Sequence, residues 1–215
     1  MIHLRNISAS VQEGNIRKTE DLVAQALRAG SPPADILMQG LAAGMIETEK
    51  RFYRNEILDS DVLTAELAMK AGFHSLMPVL RENQSPFLGT AVTGTLEGEL
   101  RETGKDIISC LMQGQGLRVI DLGASVSPAS FVGAAIEERA EIIVCTTALT
   151  VFMPQMKLLV QSAAQADIRG KTKILLSGGP VTEWFCKSIE ADMYAPDPVL
   201  AAEMAAEHCK KLSGR

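Results

Sequence analysis

Between residues 94 and 106 the chain reads Gly94-Thr-Leu-Glu-Gly-Glu-Leu-Arg-Glu-Thr-Gly-Lys-Asp106. The glycines at 94, 98 and 104 let backbone approach a ligand with no Cβ in the way. Thr95 and the charged pair Glu99 and Arg101 stand among them. Three later places carry residues of similar use. They are the hydroxyl run Thr146-Thr-Ala-Leu-Thr150, the tight Ser177-Gly178-Gly179-Pro180, and Tyr194-Ala-Pro196. Open backbone and hydroxyls hold a polar group by hydrogen bonds. The chemistry these residues suit is therefore holding a ligand, and no catalytic acid–base pair stands out among them.

The elements that must position these groups follow from apolar spacing. From Phe87 onward, short β-rich runs alternate with helical stretches. Strands are expected at 87–93, 117–121, 142–146, 173–177 and 193–195. Helices are expected near 105–113, 128–139, 154–166, 182–189 and 198–211. Strict alternation argues for a parallel, doubly wound, flavodoxin-like sheet of five strands. In such sheets ligands bind outside the carboxyl ends of the strands. The glycine turn and the three later segments each follow a strand, so all four should share one rim.

Residues 1–80 contain no convincing strand. A weakly helical segment over Leu4–Gln12 stops at Glu13-Gly14, and Asn15 can cap a second helix ended by Gly30. Ser31-Pro-Pro33 opens a third helix carrying Ile36, Leu37, Leu41, Met45 and Phe52 at helical spacing. Asp59-Ser60-Asp61 can cap a fourth running to about Leu80, with Leu63, Leu67, Met69 and Leu76 mostly inward. The result is a four-helix bundle, a cap domain over 1–80. The polar stretch 81–86, ending in proline, is the expected linker to a Rossmann-like domain over 87–215. Methionines at 38, 45, 69 and 77 suit core filling, and a Met- and Phe-bearing end also suits covering a large flat apolar ligand.

Several functions are excluded on chemistry. A phosphate loop needs a hydroxyl after Gly-Lys; here Asp106 follows Gly104-Lys105 and would repel phosphate. The dinucleotide fingerprint is absent. A net charge of −5 with no basic cluster argues against nucleic acid. No apolar run approaches the ~18–20 residues of a membrane span, and the amino terminus shows no signal peptide, so a cytoplasmic protein is expected. The four cysteines, 110, 145, 186 and 209, have no paired spacing and read as buried reduced thiols. His74 reads as a satisfied or exposed side chain.

Taken together, these segments resemble the corrinoid proteins of methyltransferase systems, a helical cap followed by a cobalamin-binding domain. The family's first turn, G-T-V-x-G-D-x-H-x-x-G-K-N-I, is similar to Gly94 through Ile107. The family's V-I-D-L-G matches Val119–Gly123. Its S-x-L-x-T segment leading to Met-Pro matches Thr146 to Met153-Pro154, with Ala148 at the leucine position and Thr150 at the threonine. Gly178-Gly179 match its paired glycines, and Ala191–Asp197 its A-D-x-Y-x-x-D, with Tyr194 at the tyrosine. In the cap, Gly44-Met45, Arg51-Phe52 and Ala65–Met69 match. Phe52, Ile57 and Leu58 fall where the family covers the ring, although the family's F-L-P-E-like sequence there is replaced.

The resemblance implies a cobalamin or related corrinoid as cofactor and methyltransferase proteins as partners. The chain would be a methyl-carrier subunit rather than a stand-alone enzyme, passing a methyl group from a small methylated donor toward an acceptor such as a folate or a thiol. The family's cobalt-ligating histidine and the aspartate that orients it stand here as Arg101 and Glu99. Guanidinium stays protonated and offers no lone pair to a metal. The expectation is a corrinoid bound with its nucleotide tail inserted and no protein side chain beneath cobalt, the lower face empty or water-ligated, with Glu99 and Arg101 paired below the ring; a second outcome is a corrinoid bound with its own base coordinated. The alternative is a regulatory or adaptor protein of the same fold that has lost or altered cobalamin binding.

Overall fold

A computed structural model describes residues 2–82 and 87–214, the side chains of Ile2 and His3 excepted. The expected linker residues 83–86 and the His3 side chain lie outside the described residues. The chain divides into two compact units, Met1–Ser85 and Pro86–Arg215.

The first unit is helical: α1 (Ile2–Gln12), α2 (Ile16–Arg28), α3 (Pro33–Asp35), a π-helical segment (Ile36–Ala42), α4 (Ala43–Tyr53) and α5 (Asp59–Glu82). Asn15 caps α2, its side chain accepting from the Lys18 N–H at 3.1 Å. The expected third helix is continuous in direction but widened over Ile36–Ala42. Here Gly40 and Gly44 press against α1. A Cβ at Gly44 would stand 2.7 Å from the Ser8 carbonyl oxygen. Leu63 and Leu67 point outward, contrary to expectation. The inward stripe of α5 instead runs through Val62, Ala65, Met69, Gly72, Phe73, Leu76 and Leu80. Small residues on that stripe admit a close neighbour: a Cβ at Gly72 would lie 2.6 Å from Leu41 Cδ2. Glu66, buried on the same helix, is neutralised by Lys70 one turn on at 2.9 Å.

The second unit is a five-stranded parallel sheet, β1 (Thr90–Thr95), β2 (Arg118–Asp121), β3 (Ile142–Thr146), β4 (Lys173–Ser177) and β5 (Met193–Ala195), in the order β2-β1-β3-β4-β5. This is the flavodoxin-like order expected from the alternation. Five helices follow the strands: α6 (Thr103–Gly114), α7 (Pro128–Glu137), α8 (Met153–Gln165), α9 (Glu183–Ser188) and α10 (Pro198–Ser213). Helices α6 and α10 pack together on one face, α7 and α8 on the other. The connection after β1 therefore leaves toward one face and that after β3 toward the other. The sheet's switch point lies between β1 and β3, where this fold opens a crevice.

β1 is displaced along the sequence from its expected span. Phe87 is exposed, and pairing begins at Thr90 opposite Arg118. Pairing continues through Gly94 opposite Cys145 and Thr95 opposite Thr146. Gly94 and Thr95 are thus strand residues, not part of the turn.

Candidate functional site

Three connections converge on the end of β3. The first turn of α6 reaches it through Gly104, whose missing Cβ would lie 3.4 Å from Thr146 Oγ1. The β4 loop reaches it through Gly178, at φ +119°, where a Cβ would run into the Thr147 carbonyl oxygen. Thr147 in turn donates its N–H to the Ser177 carbonyl at 3.3 Å. The β1 turn reaches it through Glu99, whose Oε1 accepts the Ala148 N–H at 3.0 Å. Residues 146–148 are therefore the hub of the rim.

Glu99 is 2% exposed. Burial raises its carboxyl pKa; the Ala148 N–H, the nearby Thr147 hydroxyl and the charge of Arg101 oppose that rise less strongly. Its hydrogen-bond partner is Ala148 rather than Arg101, which acts on it through charge alone. The second oxygen, Oε2, is buried with no hydrogen-bond partner. An acceptor left this way costs about 1–3 kcal/mol. The turn around it is firmly built: the Ser125 N–H donates to Thr95 Oγ1 at 2.9 Å and the Gly98 N–H to Ser125 Oγ at 3.0 Å.

Directly behind the turn, Lys105 is 2% exposed inside three carboxylates. Its Nζ lies 2.7 Å from Glu102, 2.8 Å from Asp106 and 2.6 Å from Asp121. Burial alone would push the ammonium pKa down. The combined hydrogen bonds to the three carboxylates outweigh that and raise it. Asp121 Oδ1 also accepts the Gly123 N–H at 2.9 Å. Lys105 thus pins the start of α6 to the end of β2.

The expected site residues divide into groups. Thr95, Gly98, Glu99 and Gly104 come together with Thr146, Ala148 and Gly178 around the β3 end. Gly98 packs beside the α8 approach: a Cβ there would be 3.2 Å from Phe152 Cε1. Thr150 is exposed at the start of a short 3-10 turn, and Arg101 sits half-buried between the turn and α6. Gly179 is exposed with nothing within 4 Å of its missing Cβ. Gly94 serves packing instead: its bare face is filled by Phe131 Cζ and Val126 Cγ2, which a Cβ would meet at 3.0 and 3.1 Å. Tyr194 packs against the core on the α7–α8–α9 side and lines a recess of about 260 Å³ with Glu183, Lys187 and Met204. Phe52 and Leu58 belong to the first unit. Phe52 meets Tyr53 edge-on at 5.8 Å, and Leu58 is 71% exposed.

Sequence reasoning missed Lys105, Asp121, Thr147 and Ser177 as site-building residues. Lys105 and Asp121 stood inside matched segments, and a lysine beside Asp106 with Glu102 one turn back was the available signal. Thr147 and Ser177 stood inside the hydroxyl run and the Ser-Gly-Gly-Pro segment, but nothing local marked the tie between them, which runs between strand ends. The cysteines are free and buried. Burial pushes the thiol pKa of Cys186 up to about 11 and that of Cys209 to about 12. Among the described residues, no group of three or more His, Cys, Asp or Glu side chains is placed to hold a metal ion. No described helix is long and apolar enough to cross a membrane.

Comparison with known proteins gives two family matches, both described as B12 binding domain, over residues 4–77 and 89–202. The chain is 35% identical over 176 residues to "Trimethylamine corrinoid protein 1" of Methanosarcina mazei, covering 81% of this chain and 82% of that protein. It is 32% identical over 186 residues to the "Dimethylamine corrinoid protein" of Methanosarcina barkeri, covering 86% and 87%. The solved structure of the monomethylamine corrinoid protein of Methanosarcina barkeri superposes with a TM-score of 0.78 at 26% identity, over 96% of this chain and 98% of that one.

Proposed function

This chain belongs to the family of corrinoid proteins built on B12 binding domains, and from that premise we propose that it is a methyl-carrier subunit. It would hold a corrinoid and present it in turn to methyltransferase proteins. The observation that carries this reading is the junction at the β3 end. Gly104, Gly178 and Glu99 bring three connections onto Thr146–Ala148 at the sheet's switch point.

The residues present fit a corrinoid with a long polar side arm. Thr146 and Thr150 offer hydroxyls, and Gly179 offers backbone with open space where a Cβ would be. Gly98 and Gly104 keep the turn low. When bound, the corrinoid supplies a metal able to accept and release a methyl group. The protein's own residues hold and orient it: Lys105 fixes the start of α6 to β2, and Glu99 fixes the β1 turn to β3.

Arg101 stands where the family carries its metal-ligating histidine, and it has no lone pair to donate. A bound corrinoid would then be held without a ligand from residue 101 to its metal. Methylamine-type donors are the substrate class that the relatives' names suggest, with donor choice residing in the partner enzyme.

Two measurements test this. The purified full chain is mixed with hydroxocobalamin, desalted, and its visible spectrum recorded. Stoichiometric retention is expected; a colourless, folded protein would overturn the carrier reading. Electron paramagnetic resonance of the reduced complex, repeated with a cobinamide that lacks its own nitrogen base, should show no nitrogen-ligated Co(II) signal, and such a signal with the cobinamide would overturn the ligation claim alone.

A further inference from the structure

Glu99 holds an acceptor with no hydrogen bond of its own in the folded chain, and the Thr147 hydroxyl beside the carboxylate donates to the Leu149 carbonyl at 3.2 Å. One oxygen takes the Ala148 N–H at 3.0 Å, while Oε2 has no hydrogen-bond partner and is buried. The charged and titratable groups acting with it are Arg101 from the same loop and the Cys145 thiol from β3. Arg101 makes no hydrogen bond to Oε2. The carboxylate lies at the crevice between the β1 and β3 ends. The next residue, Leu100, is 77% exposed, so the loop passes from full burial to the surface in one step. Leu100 and Arg101 belong to neither helix nor strand. The Glu99 backbone itself is fixed by the Ser125 N–H on its carbonyl at 3.1 Å.

On the carrier reading above, we propose that Glu99 Oε2 accepts a hydrogen bond from an O–H or N–H donor brought by the bound corrinoid. That donor is a water on the metal's lower face or a primary amide at the ring edge. One carboxylate then does two things. Its first oxygen locks two connections together whether or not ligand is present. Its second oxygen is completed only in the loaded protein. A charged acceptor in a dry crevice favours such a donor strongly.

The test uses the full chain, hydroxocobalamin as probe, and the variants Glu99→Gln and Glu97→Gln. Glutamine keeps an oxygen for the Ala148 N–H and puts an amide donor where Oε2 was. Glu97 is an exposed neighbour on the same turn and controls for charge. Glu99→Gln should weaken binding about tenfold or more, the loss expected for a charge-assisted bond, with Glu97→Gln close to wild type. Wild-type affinity should fall as pH drops through the raised Glu99 carboxyl range, and the Gln variant should be flat there. If the donor is water on the metal, the variant also lowers the pH at which the bound corrinoid changes from aquo to hydroxo colour, since removing a nearby anion eases formation of a second. If the donor is a ring amide, that colour change stays put.

Equal affinity and an equal pH profile in wild type and Glu99→Gln would overturn this assignment and leave the carrier reading standing. No retention by the wild type would overturn both. Should Glu99→Gln not fold, a flat wild-type pH profile would by itself overturn it.

Discussion

Gly178 and Gly179 are adjacent and should respond oppositely to the same substitution. Gly178 sits at φ +119°, a conformation side-chain-bearing residues rarely adopt. A Cβ there would run into the Thr147 carbonyl oxygen and stand 2.9 Å from both the Thr147 carbonyl carbon and its nitrogen, where ordinary contact begins at 3.4 Å. The obstacle is backbone, so no rotamer change relieves it. Backbone strain of this kind costs about 1–3 kcal/mol. Forcing a methyl into filled space adds about 1–3 kcal/mol. Gly178→Ala should therefore destabilise the second unit by about 4 kcal/mol, a fall in Tm on the order of 10 °C. Gly179→Ala meets nothing within 4 Å and has no positive φ, so its stability should be unchanged. If backbone at 179 lies against the corrinoid side arm, the added methyl nevertheless weakens hydroxocobalamin binding. Urea unfolding and a spectroscopic titration separate the two effects. Gly178→Ala with wild-type stability would refute the claim that β3 and β4 loops are locked by backbone contact. Gly179→Ala with wild-type affinity would remove Gly179 from the ligand groove.

Lys105→Met leaves three carboxylates without their ammonium. Breaking a buried pair costs about 3–5 kcal/mol, and the low end applies here because the Asp121 and Glu102 side chains keep 40% and 35% of their exposure. Urea unfolding checks this, and Asp121→Asn should be milder because Glu102 and Asp106 remain. Glu99 has its folded pKa raised by burial, so it contributes stability below the ordinary carboxyl range and loses it as pH rises through the folded value. Glu99→Gln should abolish that component of the stability–pH curve; an unchanged slope in the variant would place the carboxylate outside the buried crevice. Arg101→His supplies an imidazole at the family's ligand position, and the reduced corrinoid complex should then acquire a nitrogen-ligated Co(II) signal absent from the wild type. Its failure to appear would mean that the loop after Glu99 does not aim at the metal.

The strand–helix alternation and the helical character of residues 1–82 were legible because each rests on local periodicity. Errors arose where tertiary contact overrode it. The apolar run Phe87–Val92 suggested an early start for β1, but pairing with β2 begins only at Thr90 and carries on through Thr95. Leu63 and Leu67 looked like core residues, yet α5 turns its small residues inward because Leu41 occupies the space at Gly72. The π-helical segment had no local signature; within it Gly40 packs closely on Ile7 of α1. Glycine counting picked out Gly94 and Gly178 but not their different roles. Gly94 admits Phe131, whereas Gly178 admits the backbone of Thr147.

The sequence drew attention to the turn after β1, while the structure makes the end of β3 the place where the rim is held. Thr146, Thr147 and Ala148 each take one incoming connection, from Gly104, Gly178 and Glu99 respectively. Two of those three junctions need only the absence of a side chain, and the third needs a carboxylate reaching one backbone N–H. None of them involves residue 101. On the proposed reading, this separation lets arginine stand at residue 101 without disturbing these junctions. On that reading the identity of residue 101 would bear on what lies beneath the metal, whereas the glycines and one glutamate hold the connections together at the β3 end. A glutamate reaches further from its backbone than an aspartate by one methylene. In this chain that reach is used on Ala148 of the neighbouring strand connection rather than on a side chain of its own loop.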